Sequence, residues 1–528
     1  LLTGSAASRN RPKHSTFRIL YTALGAAFLV LVLLVLMQAA LHKQLNHDEN
    51  MYVSSGVLLH SGLLPYKDYP YFQMPLQTLV YGAAMWSAGD QLLVARALNT
   101  LCAFLTCVIL FLGALRLSRG APAYLRAIIA VGGVLLFIAN PQLIYASGLA
   151  WNHDLPILLT VAGLALLTMA LLPNTAAKPR DRLLILGAGF LLGLAVSARL
   201  TFVTVVPPIA LVILVVPVGS DSAGMPARLR QVALFCLGVL AGLLPALLFL
   251  LIDPSSFLFG NLTYHQFNEQ YWLQTGYTRA MTLESKLAYF RDVVLGEPFN
   301  WLLLPAGALL VPALLVARSV ARGRALAAVL SGIAAIALFV GALIPTPTWL
   351  QYFYAPYALG VFAVVWGAAC LSASRLRYPA AVALVAVAMI CAVRALPSYR
   401  QLDGSLSLSD STTAQVYQAA ADIRAAVPQG TIVTLAPLYG LESGLEIYPR
   451  LASGPFAPRV APLVPAAARA SQGISSITDL VASMQASPPA AVLVGTEGTL
   501  EDPLAQFAAQ HGYRKIALPA GLTLWVRS

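Results

Sequence analysis

Apolar runs of about 20 residues recur along most of this chain, and no other feature constrains its fold as tightly. A helix needs roughly 20 such residues to cross the hydrocarbon of a bilayer. Segments that meet this requirement lie at 19–41, 92–115, 124–141, 154–173, 183–198, 200–217, 231–252, 298–317, 325–344, 352–371 and 378–396, eleven spans in all. Residues 19–41 are too long and too apolar for a signal-peptide core and read as a retained span. Two choices set the parity of everything downstream. The short stretch 76–89 follows Pro75 and is laid along the interface, and 183–217, too long for one span, is divided at Arg199.

A soluble chain of 528 residues would form roughly three or four domains, but 59% hydrophobic and 10% charged residues exclude that reading and disorder with it. No basic tail suited to nucleic acid is present. Cys102, Cys107, Cys236, Cys370 and Cys391 each sit inside an apolar run, so they read as small core hydrophobes rather than as a disulfide framework or a thiolate metal site. The net charge of +12 then needs a different origin. With the N-terminal tail (1–18) in the cytoplasm, the inner segments carry Arg9, Arg11, Lys13 and Arg18, then Arg116, Arg119 and Arg126, then Lys178, Arg180 and Arg182, Arg228 and Arg230, Arg318, Arg322 and Arg324, and Arg375 and Arg377. Those segments hold roughly half of the Lys and Arg residues and two acids, Asp181 and Asp221, as short cytoplasmic loops do. The basic excess is therefore a topology signal.

The same parity puts loops 42–91 and 253–297 and residues 398–528 outside. The expected architecture is a polytopic α-helical module over 19–397 followed by a small extracytoplasmic α/β domain over 398–528. In that domain a helical stretch at 412–427 precedes β-like runs at 431–437, 490–495, 514–519 and 522–527. The Pro/Ala-rich stretch 455–468 reads as an irregular surface loop; the domain's role is open, and 443–456, with Tyr448 and Arg450, is its stretch to watch.

Chemistry is sought on the outer face. The first outer loop places His47, Asp48 and Glu49 directly after the first span, before a helical stretch at 49–61, a Gly-Leu-Leu-Pro-Tyr turn, Lys67, Asp68 and Pro75. Acids at a membrane edge are often solvated loop charges. This loop is too apolar to lie free in water, so it packs on the membrane surface and fixes Asp48.

Here the chain resembles the GT-C glycosyltransferases that use polyprenyl-phosphate sugars, in particular the bacterial branch similar to protein O-mannosyltransferases and the lipid A aminoarabinose transferase. The resemblance rests on His-Asp-Glu at 47–49, the run 62–69, Gln73 to Pro75, and Arg96 early in the next span, with weaker support from 151–166, 193–201 and 351–360. It implies a GT-C fold, an outward-facing site and an acid after the first span acting as base. Chemistry agrees: a phosphate leaves without needing a proton, so one carboxylate that deprotonates the acceptor hydroxyl suffices, and a single displacement inverts the anomeric centre.

Asp48 is the expected base, with Glu49 its partner or the base itself. Lys67, Arg199 and Arg96 are the candidate cations for the donor phosphate; each has a plainer reading as a charge snorkelling to headgroups. Asp154, which also suits a helix cap, joins His47, His265, Gln351 and Tyr352 as candidate substrate contacts. In similar proteins a His or Arg stands where Gln351 is, which weakens a phosphate contact from that loop. The aromatics of 253–297 suit either sugar stacking or an interfacial belt. The residues point firmly to no cofactor. A divalent cation on Asp48 and Asp154 with His47 and His153 is an open option that the spacing does not establish. The expected partners are a polyprenyl-phosphate sugar, a glycan, lipid or protein acceptor and the bilayer, in a bacterial inner membrane. No nucleic acid is expected. A lipid or sugar transporter is the alternative, and it would need ionisable groups near span midplanes, broken helices and inverted repeats.

Overall fold

The computed structural model describes residues 12–85, 90–171, 179–215, 224–316, 322–402 and 408–527. Arg9, Arg11, Lys178, Asp221, Arg318 and the end of 76–89 lie outside the described residues. Helix α1 (Pro12–His42) leads into α2 (His47–His60), α3 (Leu76–Ala84), α4 (Gln91–Leu117), α5 (Ala123–Ile138), the short α6 (Pro141–Ala146), α7 (Asp154–Leu171) and α8 (Pro179–Ala198). There follow α9 (Val206–Val215), α10 (Met225–Gly242), α11 (Leu244–Ile252), α12 (Pro254–Leu258), α13 (Tyr264–Gln274), α14 (Leu283–Tyr289), α15 (Pro298–Val316), α16 (Arg322–Leu343), α17 (Tyr354–Leu371) and α18 (Arg377–Leu402).

Each apolar segment drawn from the sequence falls on one of these helices or a broken pair of them. Among the described residues seven helices are long and apolar enough to cross a membrane, and α10 with α11, bent by 52°, makes an eighth if taken as one span. The helices at Ala123–Ile138 and Leu200–Val215 are apolar but shorter. The chain is thus a polytopic helical membrane protein. The α10/α11 bend has an identifiable cause: Pro245 has no N–H to donate and its ring crowds the preceding turn.

Small residues fix the tightest crossing. Gly189 and Gly193 of α8 face Gly238 and Gly242 of α10, and a Cβ on Gly238 or Gly242 would stand 2.2 Å from the carbonyl oxygen of Leu186 or Phe190. The two backbones touch because neither helix has side chains between them, as in GxxxG pairs. The chain breaks where the sequence reading divided it: α8 ends at Ala198, Arg199 is extended (φ −155°, ψ 116°), and a short 3-10 turn, Leu200–Val205, follows.

After α19 (Thr412–Ala426) the chain forms a five-stranded sheet of β1 (Thr431–Thr434), β2 (Glu446–Ile447), β3 (Ala491–Val494), β4 (Arg514–Ala517) and β5 (Thr523–Val526), in the order β2-β1-β3-β5-β4. Four strands lie where the sequence put them, and β2 is added at an edge. β1 runs parallel to β2 and β3, with Val433 opposite Val492, while β5 runs antiparallel to β3 and β4. Alternation buries both faces. Val433 and Val492 join the cluster of Leu480, Met484 and Phe507, whereas Ile432, Leu493 and Leu524 face the core shared with the helical bundle.

The stretch 455–468 is not a surface loop. It folds as α21 (Phe456–Val460), after α20 (Pro437–Glu442), then a 3-10 turn and α22 (Ala466–Ser471), ahead of α23 (Ile477–Ala486) and α24 (Asp502–Gln510). Its Ala457, Val460, Ala461 and Val464 are buried, because their apolar side chains have the bundle to pack on.

Several hydrogen bonds dock the sheet region on one end of the bundle. Thr412 and Thr413 donate to the carbonyls of His42 and Leu41 at the end of α1, and the N–H of Leu438 donates to Asn50. The first turn of α4 points N–H groups at the same region: Leu92 donates to Glu442 Oε1 at 2.7 Å and Leu93 to the Tyr417 hydroxyl at 2.9 Å. Glu442 is an N-cap supplied from another part of the chain.

Candidate functional site

The first outer loop is built around a helix start. Asn46 caps α2 by accepting the N–H of Asp48, and Glu49 closes the capping box by accepting the N–H of Asn46 at 3.0 Å. Glu49 is wholly buried. It also accepts Arg96 Nε at 2.9 Å, Arg96 Nη2 at 2.7 Å and the N–H of Ala150 at 2.8 Å. Arg96, equally buried, uses Nη1 on the carbonyls of Ala40 and Lys43 at the end of α1 and on Thr413 of α19. A carboxylate and a guanidinium withdrawn from water need such a full set of partners. Together they tie α1, α2, α4, loop 147–153 and α19 to one another, which leaves Glu49 no lone pair for a substrate and Arg96 little capacity for a phosphate.

One position earlier, the opposite holds. Asp48 opens, with 28% of its side chain exposed, into a cavity of about 240 Å³. Asn46, His47, Met51, Phe72, Gln73 and Tyr145 line it from one side, Tyr264, His265, Asn268 and Trp272 from α13, Trp349, Gln351 and Tyr352 from the loop before α17, and Phe456 and Arg459 from α21. Burial raises the Asp48 carboxyl above its usual range, with His47, Arg459 and Arg199 pulling it back down. His47 Nε2 is 3.6 Å from Asp48 Oδ1. Burial likewise pushes His265 down to about 4, so it faces the cavity as a neutral ring.

Arg199, at the break after α8, donates through Nη1 to Asn152 Oδ1 at 2.8 Å, approaches the His153 ring to 3.2 Å, and lies 4.9 Å from the centroid of Tyr352. Asn152 in turn reaches Gln73 and the Ala198 carbonyl. These contacts put the guanidinium behind the Tyr352 wall, close enough to act on Asp48.

Asp154 is buried and does not line this cavity. It accepts the N–H of Gly148 at 2.8 Å and the Tyr354 hydroxyl at 2.9 Å, bonds that fold loop 147–153. Lys67 is exposed on a turn and lines no part of the cavity; the preceding Tyr66, at φ 70°, packs against Tyr71, Phe249 and Phe257, and Lys67 follows it outward. Of the expected residues, the structure therefore gathers Asp48, His47, His265, Gln351 and Tyr352 around the cavity, sets Arg199 against the Tyr352 ring, and leaves Glu49, Arg96, Asp154 and Lys67 out of its lining. No group of three or more His, Cys, Asp or Glu side chains suited to a metal occurs among the described residues.

The sequence reading missed four further residues: Arg459, Asn152 as an Arg199 partner, Asn268, and Lys43. Lys43 is buried at the end of α1, donates to the Ser147 carbonyl, and is pushed down to about 7 by burial. It lines a second cavity of about 1000 Å³ whose other walls include Ile144, Leu302, Leu350, Ile390, Val393 and Arg394. Asn46 and Tyr145 border both cavities.

No protein-family model matches the chain, and no curated protein does. Solved structures do. ArnT from Cupriavidus metallidurans in its apo state superposes with a TM-score of 0.59 at 17% identity, over 97% of this chain and 98% of that one. The same protein bound to undecaprenyl phosphate gives 0.59 and 17%, over 96% and 98%. This chain has the ArnT fold. The superposition takes in the helical bundle and the following α/β region alike, the architecture that the sequence resemblance implied.

Proposed function

We propose that this chain is a glycosyltransferase of a bacterial inner membrane that moves a sugar from a polyprenyl-phosphate donor to a hydroxyl on a glycan, lipid or protein acceptor, with inversion. The observation that carries the reading is the pairing of two adjoining cavities. A small polar, aromatic one holds a raised carboxylate with cations beside it, and a larger, mostly apolar one, bordered by the same Asn46 and Tyr145, has room for part of a prenyl chain. The ArnT fold, recorded with undecaprenyl phosphate, supports it.

In this reading Asp48 takes the proton of the acceptor hydroxyl as that oxygen bonds to the anomeric carbon. The bond to the phosphate oxygen breaks on the opposite face, and its electron pair leaves with the phosphate, stabilised by Arg199. Trp272, Tyr264 and Tyr352 offer flat faces to the sugar, and Asn268, Gln351 and neutral His265 offer hydrogen bonds. Glu49 and Arg96 are positioning residues that hold Asp48 at the start of α2. The eleven spans, the cytoplasmic N-terminus and the extracytoplasmic domain over 398–528 belong to the same proposal, because they put every cavity-lining group on one face of the membrane. That convergence also weighs against a transporter.

The experiment is a donor panel. Purified protein in nanodiscs is incubated with undecaprenyl phosphates carrying different radiolabelled sugars, and release of label from the lipid phase is followed. Consumption of one donor supports the reading; intact donors throughout, with acceptor extracts present, count against it.

A further inference from the structure

One of the residues lining the cavity around Asp48 comes from more than 400 positions away in the chain. Arg459, in the last turn of α21, pairs through Nη2 with Glu497, and its guanidinium carbon lies 5.6 Å from the centroid of Phe456. Phe456 meets the His47 ring edge-on at 5.5 Å and 75°, and His47 flanks Asp48. Glu497 is itself held in place: Glu501, 2% exposed, accepts the N–H groups of Gly495, Thr496 and Glu497 through one oxygen and so fixes the loop after β3.

We propose that Arg459 is a donor-binding residue supplied by the α/β region, contacting the phosphate of the polyprenyl-phosphate donor while Arg199 adds its charge from behind Tyr352. This rests on the glycosyltransferase reading above and names a residue of that same site.

Three observations support the proposal. Arg459 lines the cavity, and its side chain stays 10% exposed there. Among the described residues its Nε and Nη1 have no hydrogen-bond partner, so at least three of its five N–H bonds remain for an anion. The cations first considered for the phosphate are engaged or distant: Arg96 is occupied by Glu49 and three oxygen acceptors, and Lys67 is off the cavity. A fixed guanidinium suits a phosphate because its planar fork matches two oxygens. Glu497 balances the charge of Arg459.

The pairing with Glu497 makes the test two-sided. Binding of undecaprenyl phosphate and of undecaprenol to full-length protein in nanodiscs is measured for wild type, Arg459→Ala, Arg459→Lys and Glu497→Gln, with phosphatidylglycerol as competitor. Arg459→Ala should weaken undecaprenyl phosphate about ten- to a hundredfold, the loss expected for one or two charge-assisted hydrogen bonds. It should leave undecaprenol unchanged, and Arg459→Lys should recover part of the affinity. Glu497→Gln should bind the phosphate as tightly as wild type or more tightly. Equal weakening by Arg459→Ala and Glu497→Gln would make the pair a structural contact and overturn the proposal, as would unchanged affinity in Arg459→Ala. Displacement by phosphatidylglycerol at equal concentration would make Arg459 a headgroup contact instead and overturn it too. A wild type that does not prefer undecaprenyl phosphate to undecaprenol overturns the donor reading itself, and this inference with it.

Discussion

Glu49 and Arg96 offer the sharpest separation between holding a site and doing its chemistry. Glu49→Gln keeps the size of the side chain but turns one carboxylate oxygen into an amide that donates. One of the groups now received by Glu49, either Arg96 with the Ala150 N–H or Arg96 with the Asn46 N–H, then faces a donor instead of an acceptor. Because both side chains are fully buried, water does not discount the loss, and breaking such a pair from one side costs about 3–5 kcal/mol. Arg96→Met should cost more, since it also strands the carbonyls of Ala40 and Lys43. The double variant should cost less than the two singles together. Unfolding in SDS-titrated mixed micelles, read by circular dichroism, measures all three, alongside Asp48→Asn, which should unfold close to wild type. A Glu49→Gln protein as stable as wild type that has nevertheless lost turnover would refute the assignment and make Glu49 part of the reaction.

Other outcomes follow from single observations. Burial raises Glu442 to about 7, from an ordinary value near 4.5. The folded state therefore holds its proton where the unfolded state has lost it, and stability should fall as pH rises between those two values and level off above. The full effect is at most about 3 kcal/mol, and Glu442→Gln should flatten that stretch of the stability profile. The acid limb of the pH–rate profile should lie above the usual aspartate range, because burial raises Asp48, and His47→Ala should move it higher by removing a group that lowers it. Gly238→Ala and Gly242→Ala should cost several kcal/mol (about 2 or more) or abolish a monodisperse detergent peak, since each new Cβ meets a carbonyl oxygen at 2.2 Å. Gly187→Ala, whose Cβ would meet only Leu166 Cδ1 at 3.4 Å, should chromatograph as wild type.

What could be read from the sequence follows from range. Span positions depend on local length and hydropathy, so the apolar segments coincide with helices and even the break at Arg199 is visible. Asp48 was accessible for the same reason: it sits beside a span end in a loop with a recognisable pattern. Lys67 shows the limit of that approach, since a local motif says nothing about which way a turn faces, and Tyr66 turns it outward. The division of labour between Asp48 and Glu49 was not readable, because it depends on Arg96 and Ala150 arriving from 47 and 101 residues away. Arg459 was hidden by composition. A Pro/Ala-rich stretch resembles a loop until the bundle gives its alanines and valines something to pack on.

The most direct test of the central claim is turnover of a radiolabelled undecaprenyl-phosphate sugar by wild type and by Asp48→Asn of equal monodispersity. The account predicts transfer or slow donor hydrolysis in wild type and loss of both in Asp48→Asn, with undecaprenyl phosphate bound equally by the two. Turnover that survives in Asp48→Asn would contradict it.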